Sequence, residues 1–223
     1  MSLLEKRTSI NQILTTLLIL AMSTAGSCAE PPEKMTHIVV QYSGTDIPAN
    51  SFMERPKAFW RAGNSFCRSE EEMDPIQFVH LVTITNEPDA WLVDLASSRA
   101  KHMVDLGPTF NCRLPVFAFG QAMATGALGQ LEFGHELEFF KAHHAAEVKG
   151  PEQKTFKALY YELNIDGATL RMIARADTQQ PAVIALVRGD KLIKAKYSVW
   201  EEIPFNAELF KKPAEVQIEE SNQ

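Results

Sequence analysis

From Thr155 to Pro213 the side chains largely alternate between apolar and polar, and two glycine-containing turns interrupt the run. Leu170, Met172 and Ala174 face one way and Arg171 and Arg175 the other, while Ile193, Ala195, Tyr197 and Val199 oppose Lys194, Lys196 and Ser198. A period of two describes strands with one buried and one wet face. Asp166-Gly167 and Gly189-Asp190 supply the positive-φ residues that tight hairpins require. Between them Pro181 to Val187 (PAVIALV) is apolar on both faces, so this strand is expected to be covered from both sides or to line a cavity. Asn206 can cap one helical turn and Pro213 can stop it. The stretch reads as a β-meander closed by a short helical peg.

Upstream the same period recurs. His37, Val39 and Gln41 alternate with Ile38, Val40 and Tyr42, and Phe59-Trp60-Arg61 meets Ser65-Phe66-Cys67-Arg68 across Gly63-Asn64. Phe78 to Thr85 reads as a long strand, turned at Asn86-Glu87-Pro88-Asp89 into Trp91-Leu92-Val93-Asp94. Ser97-Ser98 turns once more into Ala100 to Val104. Neighbours in sequence become neighbours in an antiparallel sheet. From Gly107 to Gly150 the rhythm breaks. Phe133, Leu137, Phe140 and His144 fall at helical spacing, so helical segments are expected from about Phe117 to His144, with a return to strand near Ala146 to Lys149.

The closing pattern, "K-L-I-K-A-K-Y-S-V-W" followed by "I-P-F-N-A-E-L-F-K-K-P", resembles the C-terminal part of LolA-like envelope proteins, and the "W-L-V-D" strand matches their repeated theme. This superfamily includes the periplasmic lipoprotein carrier and its outer-membrane receptor. The resemblance implies a mainly β (α+β) fold: a strongly curved antiparallel sheet, or half-open β-barrel, of roughly ten strands with helical segments covering the cavity. A Gly- and Met-rich insert suits such a cover, because methionine adapts to varied apolar partners. The same helices would serve equally as a permanent plug.

The first residues are read as an export signal over 1–29, leaving 30–223 as a single domain. Lys6 and Arg7 form a basic start and Ile13 to Ala21 an apolar core too short for a comfortable membrane span. Cleavage after Ala29 would release a soluble periplasmic protein. Cleavage before Cys28 would expose that thiol for lipidation, and hence for membrane anchoring. With 22 basic and 28 acidic residues the net charge is −6. No basic stripe is present to neutralise phosphates, so nucleic acid is not an expected partner.

Motifs for chemistry are missing. There is no Gly-x-Ser-x-Gly elbow, Ser-x-x-Lys pair or phosphate-binding glycine loop. His135, His143 and His144 lie among Glu136, Glu138 and Glu147, but position 139 is Phe where a zinc-protease helix would need its second His. A solvated or capping cluster is the reading, with no metal and no cofactor. What remains is apolar lining. Trp60, Phe66, Trp91 and Tyr160 on strands, with Met123 and Phe140 in the cover, are the expected contacts of a lipid acyl chain or a lipoprotein. Each could instead be plain core. The expected function is therefore a non-enzymatic carrier or receptor, and the alternative is a structural or sensory module with a solid core that binds another envelope protein.

Export leaves Cys67 and Cys112 free to pair, the alternative being two buried thiols. A bridge would tie the start of the covering segment to the sheet and contribute about 3–5 kcal/mol. Reduction should then lower the melting temperature and increase hydrophobic-dye binding. Cys67→Ser, Cys112→Ser and the double variant should behave alike, since each loses the same bond. Two free thiols on titration of the unfolded, unreduced protein would remove the bridge.

Overall fold

The computed structural model describes residues 32–104, 113–117 and 126–219. The proposed signal boundary, Cys28, Cys112 and Met123 lie outside the described residues. Twelve strands form one sheet among them: β1 (Lys34–Ser43), β2 (Lys57–Ala62), β3 (Phe66–Glu71), β4 (Leu81–Asn86), β5 (Asp89–Asp94), β6 (Arg99–Val104), β7 (Ala146–Val148), β8 (Ala158–Ile165), β9 (Ala168–Arg175), β10 (Pro181–Arg188), β11 (Lys191–Pro204) and β12 (Gln217–Glu219). Their order is β12-β6-β5-β4-β3-β2-β1-β11-β10-β9-β8-β7. Every pairing is antiparallel except β12 with β6. The sheet is not closed into a barrel, and an open sheet this wide curls rather than lying flat.

The hairpins form where turn chemistry places them. Asp166 and Gly167 have φ of 51° and 70°, Gly189 has 61°, Gly63 has 58° and Ser98 has 56°. The Asn206 side chain accepts a hydrogen bond from Glu208 N at 3.1 Å and caps the 3-10 turn Ala207–Phe210. Two strands depart from expectation. The strand foreseen from Phe78 begins only at Leu81, because Asp74 Oδ1 accepts from Ile76 N (2.8 Å) and Gln77 N (3.1 Å) and folds 74–79 into a bridged loop. In β11, Val40 pairs with Tyr197 but Val39 with Val199, so Ser198 is an extra residue. Val199 thereby leaves the face it was expected to share with Tyr197, and Trp200 takes its place beside Ile38.

The two halves of the sheet bury opposite faces. On β8–β11, β1 and β2 the buried side is Leu170, Met172, Ala174, Ile184, Leu186, Ile193, Ala195, Tyr197, Ile38, Val40 and Phe59, packed under Leu114, Val116, Phe117, Leu128, Leu131, Phe133, Phe139 and Phe140. On β2–β6 the other side is buried: Ala62, Val82, Ile84, Val93 and Ala100 pack with Met35 beneath Phe210 and Val216 of the C-terminal segment. The switch happens within β2, where Phe59 belongs to the first cluster and Ala62 to the second.

The cover of the first core is less helical than the spacing predicts. Pro115 is bridged to Glu132, Val116 and Phe117 form a turn, and Ala127–Gln130 is a 3-10 turn. Among the described residues a single α-helix, α1 (Glu136–Ala142), forms in this region. Gly126 and Gly134, with φ of 81° and 86°, interrupt any longer helix. The cover is nonetheless pinned: Tyr42 Oη donates to Val116 O (2.6 Å), Arg61 donates to Glu132 (2.7 Å) and Phe133 O (3.2 Å), and Leu128 N donates to Asp166 (3.1 Å).

Gly44 ends β1 at φ 135°, where a Cβ would run into the carbonyl oxygen of Leu192 in β11. Gly44→Ala should therefore destabilise by more than the ~1–3 kcal/mol of an ordinary strained position. Urea unfolding reads this directly, and an unchanged midpoint would mean that β1 does not approach β11 at Gly44.

Candidate ligand-binding groove

Where β8–β11 bury one face in the first core, their other face is a groove of about 850 Å³, inside the ~300–1,000 Å³ range of small-molecule sites. Strand register builds it. Tyr160, Ile173 and Val183 form one row across β8, β9 and β10; Glu162, Arg171, Ala185 and Lys194 form the next; Val187 and Leu192 form the third. The floor is apolar because PAVIALV is apolar on both sides: Ile184 and Leu186 enter the core, and Val183, Ala185 and Val187 remain half-buried in the groove. Charged side chains flank Ala185 in the middle row, and others lie at the hairpin end. Arg171 Nε donates to Glu162 at 2.8 Å, and Lys191 pairs with Asp46 at 3.3 Å.

A strap closes one side. Val148 pairs with Tyr160, after which Lys149, Gly150 and Pro151 line the groove. Tyr160 Oη donates to the Pro151 carbonyl and accepts from Gln153 Nε2 (2.8 Å). A Cβ on Gly150 would stand 2.5 Å from the Tyr160 ring, so only glycine lets the strap lie this close.

The residues expected to line one cavity are dispersed. Tyr160 lines the groove, but Phe140 is 0 % exposed inside the first core. Trp60 stacks on His37 at 5.0 Å and borders a separate acidic depression with Glu70, Glu71 and Glu72. Phe66 packs edge-on against Phe205 and Phe210 in the second core, and Trp91 stacks on His102 at 5.3 Å beside it. Met123 lies outside the described residues. The groove residues Ile173, Val183, Val187 and Leu192 were missed individually, although the two-faced apolarity of PAVIALV pointed to them. Cys67 is buried and disulfide-bonded, its partner lying outside the described residues. His143 Nδ1 lies 3.0 Å from the Phe139 carbonyl and its ring packs on Phe139 at 4.2 Å. Among the described residues no three His, Cys, Asp or Glu side chains are grouped to hold a metal ion.

No family model and no curated protein matches this chain. Solved structures resemble it at low identity. An uncharacterised conserved protein from Thermus thermophilus superposes with a TM-score of 0.51 at 10% identity, over 84% of this chain and 90% of that one. The MucA/MucB complex of Pseudomonas aeruginosa aligns with a TM-score of 0.45 at 10% identity, over 82% of this chain and 57% of that one, so this chain spans little more than half of that protein. A LolA superfamily protein from Nitrosomonas europaea aligns with a TM-score of 0.37 at 11% identity, over 82% of this chain and 92% of that one.

Beneath the groove, inside the first core, sits a carboxyl with no route to water. Glu136 opens α1, is 1 % exposed, accepts from Tyr197 Oη at 3.0 Å and from Gly134 N at 3.0 Å. Burial raises its pKa from 4.5 to about 7; its own N–H, that of Gly134, the Tyr197 hydroxyl and the Trp200 indole N–H limit the rise. Trp200 Nε1 makes no well-formed hydrogen bond, yet lies near enough to favour the charged form. Burial and the nearby Glu136 carboxylate in turn raise the Tyr197 pKa. Because the folded state holds the Glu136 proton more tightly than the unfolded chain, this residue's contribution to stability is largest below pH 4.5. It falls as pH rises to about 7 and is constant beyond. The loss is on the order of 3 kcal/mol at ~1.4 kcal/mol per unit. Glu136→Gln should flatten stability between pH 5 and 7 and raise it at pH 8, since an amide can accept from Gly134 N and donate to Tyr197. Urea midpoints across this range measure both; an unchanged pH dependence in the variant would contradict the assignment.

Proposed function

We propose that this is an exported, non-enzymatic envelope protein that binds an apolar chain, either a lipid acyl chain or the lipidated part of a partner, in the groove over β8–β11. The observation that carries this reading is the groove's floor. Tyr160, Ile173, Val183, Ala185, Val187 and Leu192 form a continuous apolar surface outside the core, held under a fitted strap. An apolar surface of this size left uncovered on a protein marks a binding site. The likeness of the closing strands to LolA-like proteins agrees in ligand class but not in place. The interior where a half-barrel ligand was expected is filled by Leu131, Phe133, Phe139 and Phe140. Export and a periplasmic location, whether soluble or anchored through Cys28, are supported by the N-terminal pattern and by the disulfide at Cys67.

A second reading, docking of an envelope protein on a solid module, is favoured by the 74–79 loop. Ile76 and Phe78 are 86 % and 70 % exposed, and Phe78 is held at φ 53°, a conformation unusual for a bulky residue.

The test is titration with the neutral apolar probe N-phenyl-1-naphthylamine. Binding is expected to saturate, and Ile173→Glu should weaken it by about tenfold or more, because a carboxylate is placed on the apolar floor. Ile76→Ser with Phe78→Ser should leave it unchanged. A protein that takes up no probe, or whose uptake ignores Ile173→Glu, does not use this groove.

A further inference from the structure

We infer that the occupant of the groove is an anionic amphiphile, whose head group is held by Lys194 and Lys196 while its chain lies over Val183 and Ile173. This rests on the groove being a site for an apolar chain, and adds the chemistry of the head. In β11 every second residue faces the groove side: Leu192, Lys194 and Lys196, with Lys194 opposite Ala185 and Lys196 opposite Val183 in β10. The wall next to β1 is therefore cationic and the floor beside it apolar. Both lysines are exposed, and among the described residues neither takes part in an ion pair. Two other charged side chains of the groove are already engaged. Arg171 is paired with Glu162, and Lys191 with Asp46.

The register places Lys196 beside Val183 at one end of the chain's path and Lys194 beside Ala185 at its middle. Along β10, Val183 to Val187 spans ~13 Å at ~3.3 Å per residue. Ala185, the smallest side chain of the floor, lies between Arg171 and Lys194 in the ladder. The lysine stems can lie on the apolar floor while their ammonium groups reach the rim. Asp190, which carries the opposite charge, lies at the hairpin end near Val187. A negative head is thus directed away from Asp190, towards Lys194 and Lys196 and the strap end, where Lys149 adds a third cation. A cationic head would lack a partner along this wall, and a neutral one would leave the ammonium groups unused.

The test displaces N-phenyl-1-naphthylamine from the full exported chain with three twelve-carbon amphiphiles below their micelle concentrations: dodecanoate, dodecyl maltoside and dodecyltrimethylammonium. Dodecanoate is expected to compete about tenfold better than the maltoside, and the trimethylammonium worst. Lys194→Gln with Lys196→Gln should remove the dodecanoate advantage over the maltoside, whereas Ile76→Ser with Phe78→Ser, outside the groove, should leave probe affinity and that advantage unchanged. Raising the salt concentration should act in the same sense as the lysine variant. Inorganic phosphate at matched ionic strength should not displace the probe, since it lacks a chain. Equal displacement by all three amphiphiles, or a dodecanoate advantage that survives the double variant, overturns the head-group assignment and leaves the groove reading standing. No probe uptake at all overturns both.

Discussion

The pairing of β1 with β11 holds the sheet together. Ten residues of β1 run antiparallel to β11 from Lys34↔Pro204 to Ser43↔Lys194. Without that seam, β1–β6 with β12 and β7–β11 would be two smaller sheets with raw edges, each a template for unwanted pairing. Because the partners are so far apart in sequence, this ladder needs a costly loop closure that local hairpins avoid. The extra residue at Ser198 decides what the seam presents. It lets Tyr197 and Trp200 point into the same core, beside Glu136 of the cover. One bulge thus couples the register of the longest strand to the polar anchoring of the segment above it.

A sheet needs one face covered, and this one meets the need twice, on opposite sides. The segment leading into α1 covers β8–β11 and β1; the C-terminal segment with Phe210 and Val216 covers β2–β6. Each half therefore retains an uncovered face. Over β8–β11 that face carries Ile173, Val183, Ala185, Val187 and Leu192 beside a charged wall, which turns leftover surface into a groove. Among the described residues the interior is filled with phenylalanines and carries a buried carboxyl, a lining that is not uniformly apolar. Which face stays open in this fold follows from which side of the sheet the chain covers.

Strands and turns were legible because their causes are local. Asp166-Gly167, Gly189-Asp190, Gly63-Asn64 and Ser97-Ser98 carry their conformations in their own side chains, and the alternation of Leu170, Met172 and Ala174 against Arg171 and Arg175 marked the buried side of β9. The Asn206 cap was legible for the same reason. The cover was not. The spacing of Phe133, Leu137 and Phe140 is helical, but Gly134 breaks the helix and Phe139, not part of that spacing, is also buried.

The candidate site shows the same division. The two-sided apolarity of PAVIALV already said that something must lie against both faces of that strand, and the lysines of β11 already alternated with its apolar residues. Which face would receive the chain's own cover, and which would stay open, was decided only in the folded state. Nothing in a strand's alternation identifies which distant segment will pack on it, and a one-residue bulge at Ser198 reassigns faces without altering composition. Trp60, Phe66, Trp91 and Phe140 have the chemistry of cavity lining, but burial depends on neighbours brought from far along the chain. Their aromatic character came from sequence alone, and their separation into two cores and a surface stack came from long-range packing.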